Sequence, residues 1–260
     1  MYLWKQVENP KQPSFNGAVS QLVTFRQFLE PDFKRWACGE IGWQFGFNRK
    51  LWEYSYILRA LEVHGLLGGC GLGFGVGQEP IVPVLLRHGA SLVVSDLADE
   101  DAQAKGWQRM QFDVSSTSTL SFRFIDMNII PTDLRGFDFV WSCGSLEHIG
   151  GLENGLRFVE NAMRCLRPGG LAVHTTELTL TPDSGRYDTP GLSLYSDKDI
   201  KDLAKRLGAA GHILELNLSR GDHQLDRLVL EEASPWEMSL KECISDHLIT
   251  SIGLIIQRAD

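Results

Sequence analysis

GGCGLGFGVG, residues 68–77, together with Asp96, is the stretch on which the fold of this chain turns. From Gly69 onward a glycine stands at every second position, so the backbone can turn tightly and approach a ligand with no Cβ in the way. Leu72 and Phe74 read as a strand, Gly75 and Gly77 as the loop after it, Pro80 as the start of a helix and Gly89 as its end. The segment SLVVS, residues 91–95, reads as the next strand, closed by Asp96. Strand, glycine loop, helix and acidic strand end make a nucleotide-type βαβ unit. The dinucleotide version of that unit needs a third small residue three positions after the second glycine, so that helix and strand pack closely. The frames starting at Gly69, Gly71, Gly73 and Gly75 put Phe74, Val76, Gln78 and Pro80 there. None is Gly or Ala, which counts against NAD. A glycine run by itself is also compatible with a flexible turn, so the rest of the chain has to decide.

At 260 residues the chain suffices for one sizeable α/β domain with an appended cap. A net charge of −8 repels a phosphate backbone, and no Lys/Arg cluster in the sequence offsets it, so nucleic acid is not an expected substrate. Residues 1–13 hold Trp, Lys, Glu and two prolines where a signal peptide needs a continuous apolar core, and no stretch reaches membrane-spanning length. The expected compartment is cytoplasmic, with no membrane partner. Cys38, Cys70, Cys143, Cys165 and Cys243 contain no C-x-x-C pair and are odd in number, and they read mostly as reduced core residues.

Residues 1–62 read as a helical N-terminal cap, crowded with aromatics such as Trp36, Trp43, Trp52, Tyr54 and Tyr56. These either pack the cap onto the core or, beside Arg49, Lys50 and Glu53, line a polar substrate. The main domain occupies 63–260. Within it, 97–119 is polar and broken, with 115–118 a loop, and a short strand at 122–125 ends at Asp126. FDFVWS, residues 137–142, is a buried strand, followed by a helix at 152–166 closed by Arg167-Pro168-Gly169-Gly170 and a strand LAVHTT at 171–176. A helix at 197–210 carries an acidic cap, and 212–218 and 251–257 are the last strands. The segment 220–247 is too long for a hairpin and reads as an insertion or lid.

Taken in order, the glycine loop, Asp96, Asp126, FDFVWSCGSLEHI and LRPGG before a strand resemble the class I S-adenosylmethionine-dependent methyltransferases over residues 66–177. That family sets its first loop glycine about 21 residues before the acidic end of the second strand; Gly75 and Asp96 are 21 apart, whereas Gly69 and Asp96 are 27 apart. More narrowly, GFGVGQEP, WSCGSLEHIG and AVHTTE are similar to a bacterial subgroup found beside sugar-modifying enzymes. The resemblance implies a Rossmann-like, seven-stranded, mostly parallel sheet with helices on both faces, and S-adenosylmethionine as cofactor. It implies that Gly75 and Gly77 admit the ligand to the backbone, Asp96 accepts from ribose hydroxyls, Asp126 and Met127 meet the adenine, and Ser142 lies at the ligand-presenting strand end. Asp126 could instead merely cap a turn. Two positions depart from the family: Gly73 stands where an acidic residue is common, and Glu79 replaces the third loop glycine. Either the loop holds the methionine end differently, or Glu79 takes over the missing carboxylate toward the ammonium group.

Methyl transfer requires an aligned nucleophile and, for a hydroxyl, a base beyond the ends of the fourth and fifth strands. His148 and His174 are the candidates, with Glu147 and Glu177 as orienting partners; either histidine could instead be structural. A metal site from these four residues lacks the i, i+4 ligand pair, and no metal is expected. The expected partner is a small polar acceptor such as a sugar hydroxyl, met by residues such as Trp52, Tyr56, Tyr187, Tyr195, Asp222 and Asp226. Two other readings stay open: an NAD(P)-dependent oxidoreductase, and a non-catalytic cofactor-binding protein, which both histidines turning away from the site would favour. Oligomeric state is not legible in the sequence.

Overall fold

The computed structural model describes residues 4–6, 12–98, 119–181, 185–227 and 238–260; the polar stretch at 99–118 and the middle of the 220–247 segment lie outside them. The chain opens with β1 (Trp4–Gln6) and β2 (Ser20–Leu22), then α1 (Phe25–Leu29), α2 (Pro31–Lys34), a π-helical turn (Arg35–Glu40), β3 (Phe47–Asn48) and α3 (Arg49–Val63). The glycine ladder forms β4 (Cys70–Phe74), passes through α4 (Ile81–Arg87) and returns as β5 (Ser91–Asp96). Next come β6 (Leu120–Phe124), β7 (Phe137–Cys143), α5 (Leu152–Ala162), β8 (Leu166–Thr179), α6 (Asp197–Ala209) and β9 (Leu214–Asn217). The chain closes with β10 (Met238–Ser239), β11 (Glu242–Ile244) and β12 (His247–Gln257).

Among the described residues ten strands share one sheet in the order β1-β9-β2-β12-β8-β7-β4-β5-β6, with β11 paired to β12. Strands β6, β5, β4, β7 and β8 run parallel, and β12 runs antiparallel to β8. The sheet is therefore the mostly parallel α/β type that the sequence implies, with three strands beyond the expected seven. The additions β1, β2 and β11 have three residues each, too short to leave an alternating signal. The chain leaves β4 toward β5 on one side and β7 lies on the other, so the strand order reverses at β4 and a crevice opens at the C-terminal strand ends.

Strand periodicity sends successive side chains to opposite faces. Phe139 and Trp141 of β7 and Leu171 and Val173 of β8 join a core with Ile57 and Leu61 of α3 and Val82 and Leu85 of α4. Val140 and Ala172 join a second core with Phe158 and Val159 of α5 and Leu203 and Leu207 of α6. Both faces of the sheet are thus covered, as parallel strands require. The N-terminal aromatics belong to the packing: Phe28, Phe33, Trp36 and Trp52 are fully buried in the first core. The N-terminal segment is not purely helical, since β2 enters the sheet between β9 and β12.

Several boundaries differ from expectation for local reasons. Helix α5 gives way to a 3-10 turn at Met163–Cys165, so LRPGG lies inside β8, where Gly169 takes φ +72°. Helix α6 is capped by Ser196 rather than by an acidic residue: Ser196 Oγ accepts from the Asp199 N–H, and the Asp199 carboxylate accepts from the Ser196 N–H. Of the cysteines read as core residues only Cys165 is fully buried; Cys38, Cys70 and Cys243 are exposed, and all five are free thiols. Among the described residues no helix is long and apolar enough to cross a membrane.

Candidate active site

A cavity of about 370 Å³ lies at the crevice, walled by the segments that follow β4, β5, β6 and β7 and by Tyr54 of α3. The loop after β4 turns through Gly75 and Gly77, with φ of +60° and +51°. At Gly75 a Cβ would lie 2.7 Å from Ser145 Oγ, so space as well as conformation demands glycine there. The Gly77 N–H donates to Asp96 Oδ2 at 3.2 Å, and the Leu97 N–H donates to Oδ1 at 2.8 Å. These bonds fix the Asp96 carboxylate at the cavity wall while leaving acceptor capacity on both oxygens. Ser145 Oγ donates to the Gly75 carbonyl at 3.2 Å and ties the loop after β7 to the loop after β4.

Asp126 and Met127 line the same cavity. Asp126 Oδ1 accepts from the Asn128 N–H at 2.8 Å and from Asn128 Nδ2 at 3.1 Å, so it both caps a turn and faces the cavity. Glu79 is almost wholly buried in the wall and accepts a hydrogen bond from Trp141 Nε1 at 2.5 Å. Burial pushes its carboxyl up to about 8, against the lowering effects of the Trp141 bond and of Lys50, while Asp96 and Glu53 push it further up.

The structure separates the paired candidates. His148 lines the cavity, and its Nδ1 sits 2.8 Å from the Gly191 carbonyl. A carbonyl only accepts, so Nδ1 carries the proton and, in the neutral ring, Nε2 carries the lone pair. His174 does not reach the cavity. Its position in β8 shares a face with Ala172, so the ring packs 5.6 Å from that of Phe158, between sheet and α5, and burial depresses its pKa to about 3. Ser142 follows the same alternation: it is fully buried, 2.8 Å from His174 Nδ1, and is not part of the cavity wall. Glu147 turns inward, accepting from Thr176 Oγ1 at 2.8 Å, and burial together with Glu177 pushes its pKa up. Glu177 pairs with Arg49 at 2.9 Å. These residues do not converge on a metal site, and no group of three metal-ligating side chains occurs among the described residues.

The acceptor residues expected from the cap and later loops also lie elsewhere. Trp52 and Tyr56 stack at 4.6 Å within the core, the first bonded to Gln27 and the second to the Val19 carbonyl. Tyr195 is buried on the Leu146 carbonyl, and the Tyr187 ring lies 5.4 Å from that of His247. Asp226 accepts from the Phe25 N–H, and Asp222 pairs with Arg26. Instead α3 delivers Tyr54 to the cavity. Beside it, the buried Glu53 pairs with Lys50 at 3.0 Å, and the Lys50 ammonium lies close against Gly144 of the cavity wall. The i, i+4 step from Lys50 to Tyr54 was the available signal, obscured by the aromatics around it.

Residues 72–174 match a family model described as a methyltransferase domain. Among solved structures, a candidate sarcosine dimethylglycine methyltransferase from Galdieria sulphuraria aligns with a TM-score of 0.52 at 16% identity, covering 88% of this chain and 97% of that one. A magnesium protoporphyrin IX methyltransferase from Synechocystis with bound SAH aligns at 0.48 and 15% identity, covering 90% and 97%. An S-adenosylmethionine-dependent methyltransferase from Clostridium acetobutylicum aligns at 0.48 and 12% identity, covering 89% and 94%. No curated relative matches the sequence.

Proposed function

We propose, from the match of residues 72–174 to a methyltransferase-domain family model, that the chain is a class I S-adenosylmethionine-dependent methyltransferase that methylates a hydroxyl of a small polar acceptor, a sugar or glycan being the class we favour. The observation that carries this reading is the meeting of Gly75, Gly77, Asp96 and His148 on one cavity at the strand-order reversal. The wall suits the donor: a glycine loop that a Cβ would obstruct at Gly75, a carboxylate held at the end of β5, and an apolar Met127 in the same lining.

In this reading Asp96 accepts from the ribose hydroxyls, Asp126 and Met127 border the adenine, and Glu79, protonated in the unliganded chain, faces the ammonium group in place of the acid absent at Gly73, the cation favouring its ionised form. The bound donor supplies an electrophilic methyl group. The chain aligns the acceptor oxygen and removes its proton, and His148 Nε2 carries the lone pair for that step because Nδ1 is committed to the Gly191 carbonyl. His148 on the wall also weighs against a non-catalytic binding protein, and the absent third small residue of the loop weighs against an NAD(P)-dependent oxidoreductase.

Incubation with a donor labelled in the methyl carbon and a panel of sugars, glycosides, amines and carboxylates tests the acceptor class. Label in a base-stable methyl ether of a sugar supports the proposal; label confined to amines or carboxylates overturns the hydroxyl assignment.

A further inference from the structure

A second cavity, of about 410 Å³, lies at the opposite end of the sheet, and four of its lining residues are arginines. Arg135 precedes β7, Arg164 and Arg167 flank the start of β8, and Arg258 follows the end of β12, which is antiparallel to β8 and so finishes beside its beginning. The sequence contains no Lys/Arg cluster; the fold assembles one from three distant segments in a chain of net charge −8. Most of the hydrogen bonds these side chains make leave the charge in place. Arg135 Nη1 donates to the Arg164 carbonyl at 2.6 Å, and Arg258 Nη1 donates to the Leu166 carbonyl. A carbonyl satisfies a donor without cancelling a cation, although it helps to hold one at a helix end. Arg167 alone of the four has a carboxylate in salt-bridge contact among the described residues, Asp138 at 2.5 Å. The Asp260 carboxylate lies beside Gly169, on the side where Arg167 also approaches it. Four cations against these two carboxylates leave the cavity positive, and each guanidinium carries more N–H groups than the contacts named here use.

We propose that this cavity binds a small phosphate-bearing ligand, independently of the methyl-transfer site. Planar guanidinium forks suit phosphate oxygens in paired hydrogen bonds, and an anion offsets the mutual repulsion of the arginines. The size of the cavity and the acidic chain around it favour a small ligand over a polynucleotide.

Calorimetric titration of the full chain with inorganic phosphate, pyrophosphate and a sugar phosphate tests this, with sulfate as the charge control and a single-stranded oligonucleotide as a competitor class. Saturable binding of a phosphate ligand, at least about tenfold tighter than sulfate and weakened about tenfold or more in Arg164→Glu, is the expected result. Arg164 is exposed, so the substitution leaves the core intact, and Arg164→Ala with an unchanged melting curve serves as the milder variant. No saturable binding, equal affinity for sulfate, insensitivity to both variants, or preference for the oligonucleotide each overturns the proposal. Donor binding in Arg164→Glu should match that of the parent chain, which distinguishes this site from the first.

Discussion

Glu79 and His174 are both buried and both displaced from their usual titration ranges, but only Glu79 borders the cavity. The folded chain holds the Glu79 proton more tightly than the unfolded one, since its pKa rises from 4.5 to about 8. Stability from that proton is complete below the unfolded value and falls as pH rises toward 8. His174 has the opposite sign: with its pKa lowered from 6.5 to about 3, stability is lost as pH falls below 6.5. Between pH 6.5 and 8, therefore, His174 is silent and Glu79 acts, alongside any contribution from Glu147, whose pKa is also raised. Urea unfolding across that window should show the parent chain losing stability relative to Glu79→Gln by about 2 kcal/mol, and parallel profiles would contradict the assignment. His148→Gln should lower kcat by about a hundredfold while leaving donor affinity within twofold; unchanged kcat would place the base elsewhere. The inward turn of His174 was one of two readings left open, because Leu171, Ala172 and Val173 are all apolar and show no alternation that picks a face. The orientation of Glu147 was not, because it depends on Thr176 lying opposite it in the folded sheet.

Helix α3 is tied to the sheet by the Glu53 carboxylate, beside the Arg49–Glu177 pair. Glu53 Oε1 accepts from Ser251 Oγ of β12 at 2.5 Å, while Oε2 accepts from Thr175 Oγ1 of β8 and from Lys50 Nζ, both at 3.0 Å. Lys50 and Arg49 stabilise its ionised form against burial and hold its pKa below the usual range. Glu53→Ala removes the shared partner of two cations and should cost about 3–5 kcal/mol in chemical denaturation. A loss below about 1 kcal/mol would show that Glu53 contributes little to holding α3 on the sheet. Elements were readable where a local signal was strong. The apolar runs delimit β5 and β7 within a residue, and β4 starts two residues before Leu72, but β2 and β11 exist through their neighbours, and the α5 pattern runs on through the 3-10 turn that ends it. Glu53 could be seen as a charge among aromatics, yet its partners lie 122 and 198 residues away.

At the scale of the molecule, the sheet carries two unlike cavities at its two ends, one at the strand-order reversal and one ringed by arginines. The first was legible as a motif, because its glycines and Asp96 belong to one βαβ unit; the second was not, because Arg135, Arg167 and Arg258 meet only through strand order. The proposed function requires that the first cavity hold S-adenosylmethionine through Asp96. Calorimetric titration with S-adenosylmethionine, NAD and NADP, repeated on Asp96→Ala with its fold verified by circular dichroism, tests it most directly. Saturable binding of S-adenosylmethionine in the micromolar range, no comparable binding of either dinucleotide, and a loss of at least about tenfold in affinity in Asp96→Ala are expected. Tight binding of NAD or NADP, or donor affinity unchanged in the variant, would contradict it.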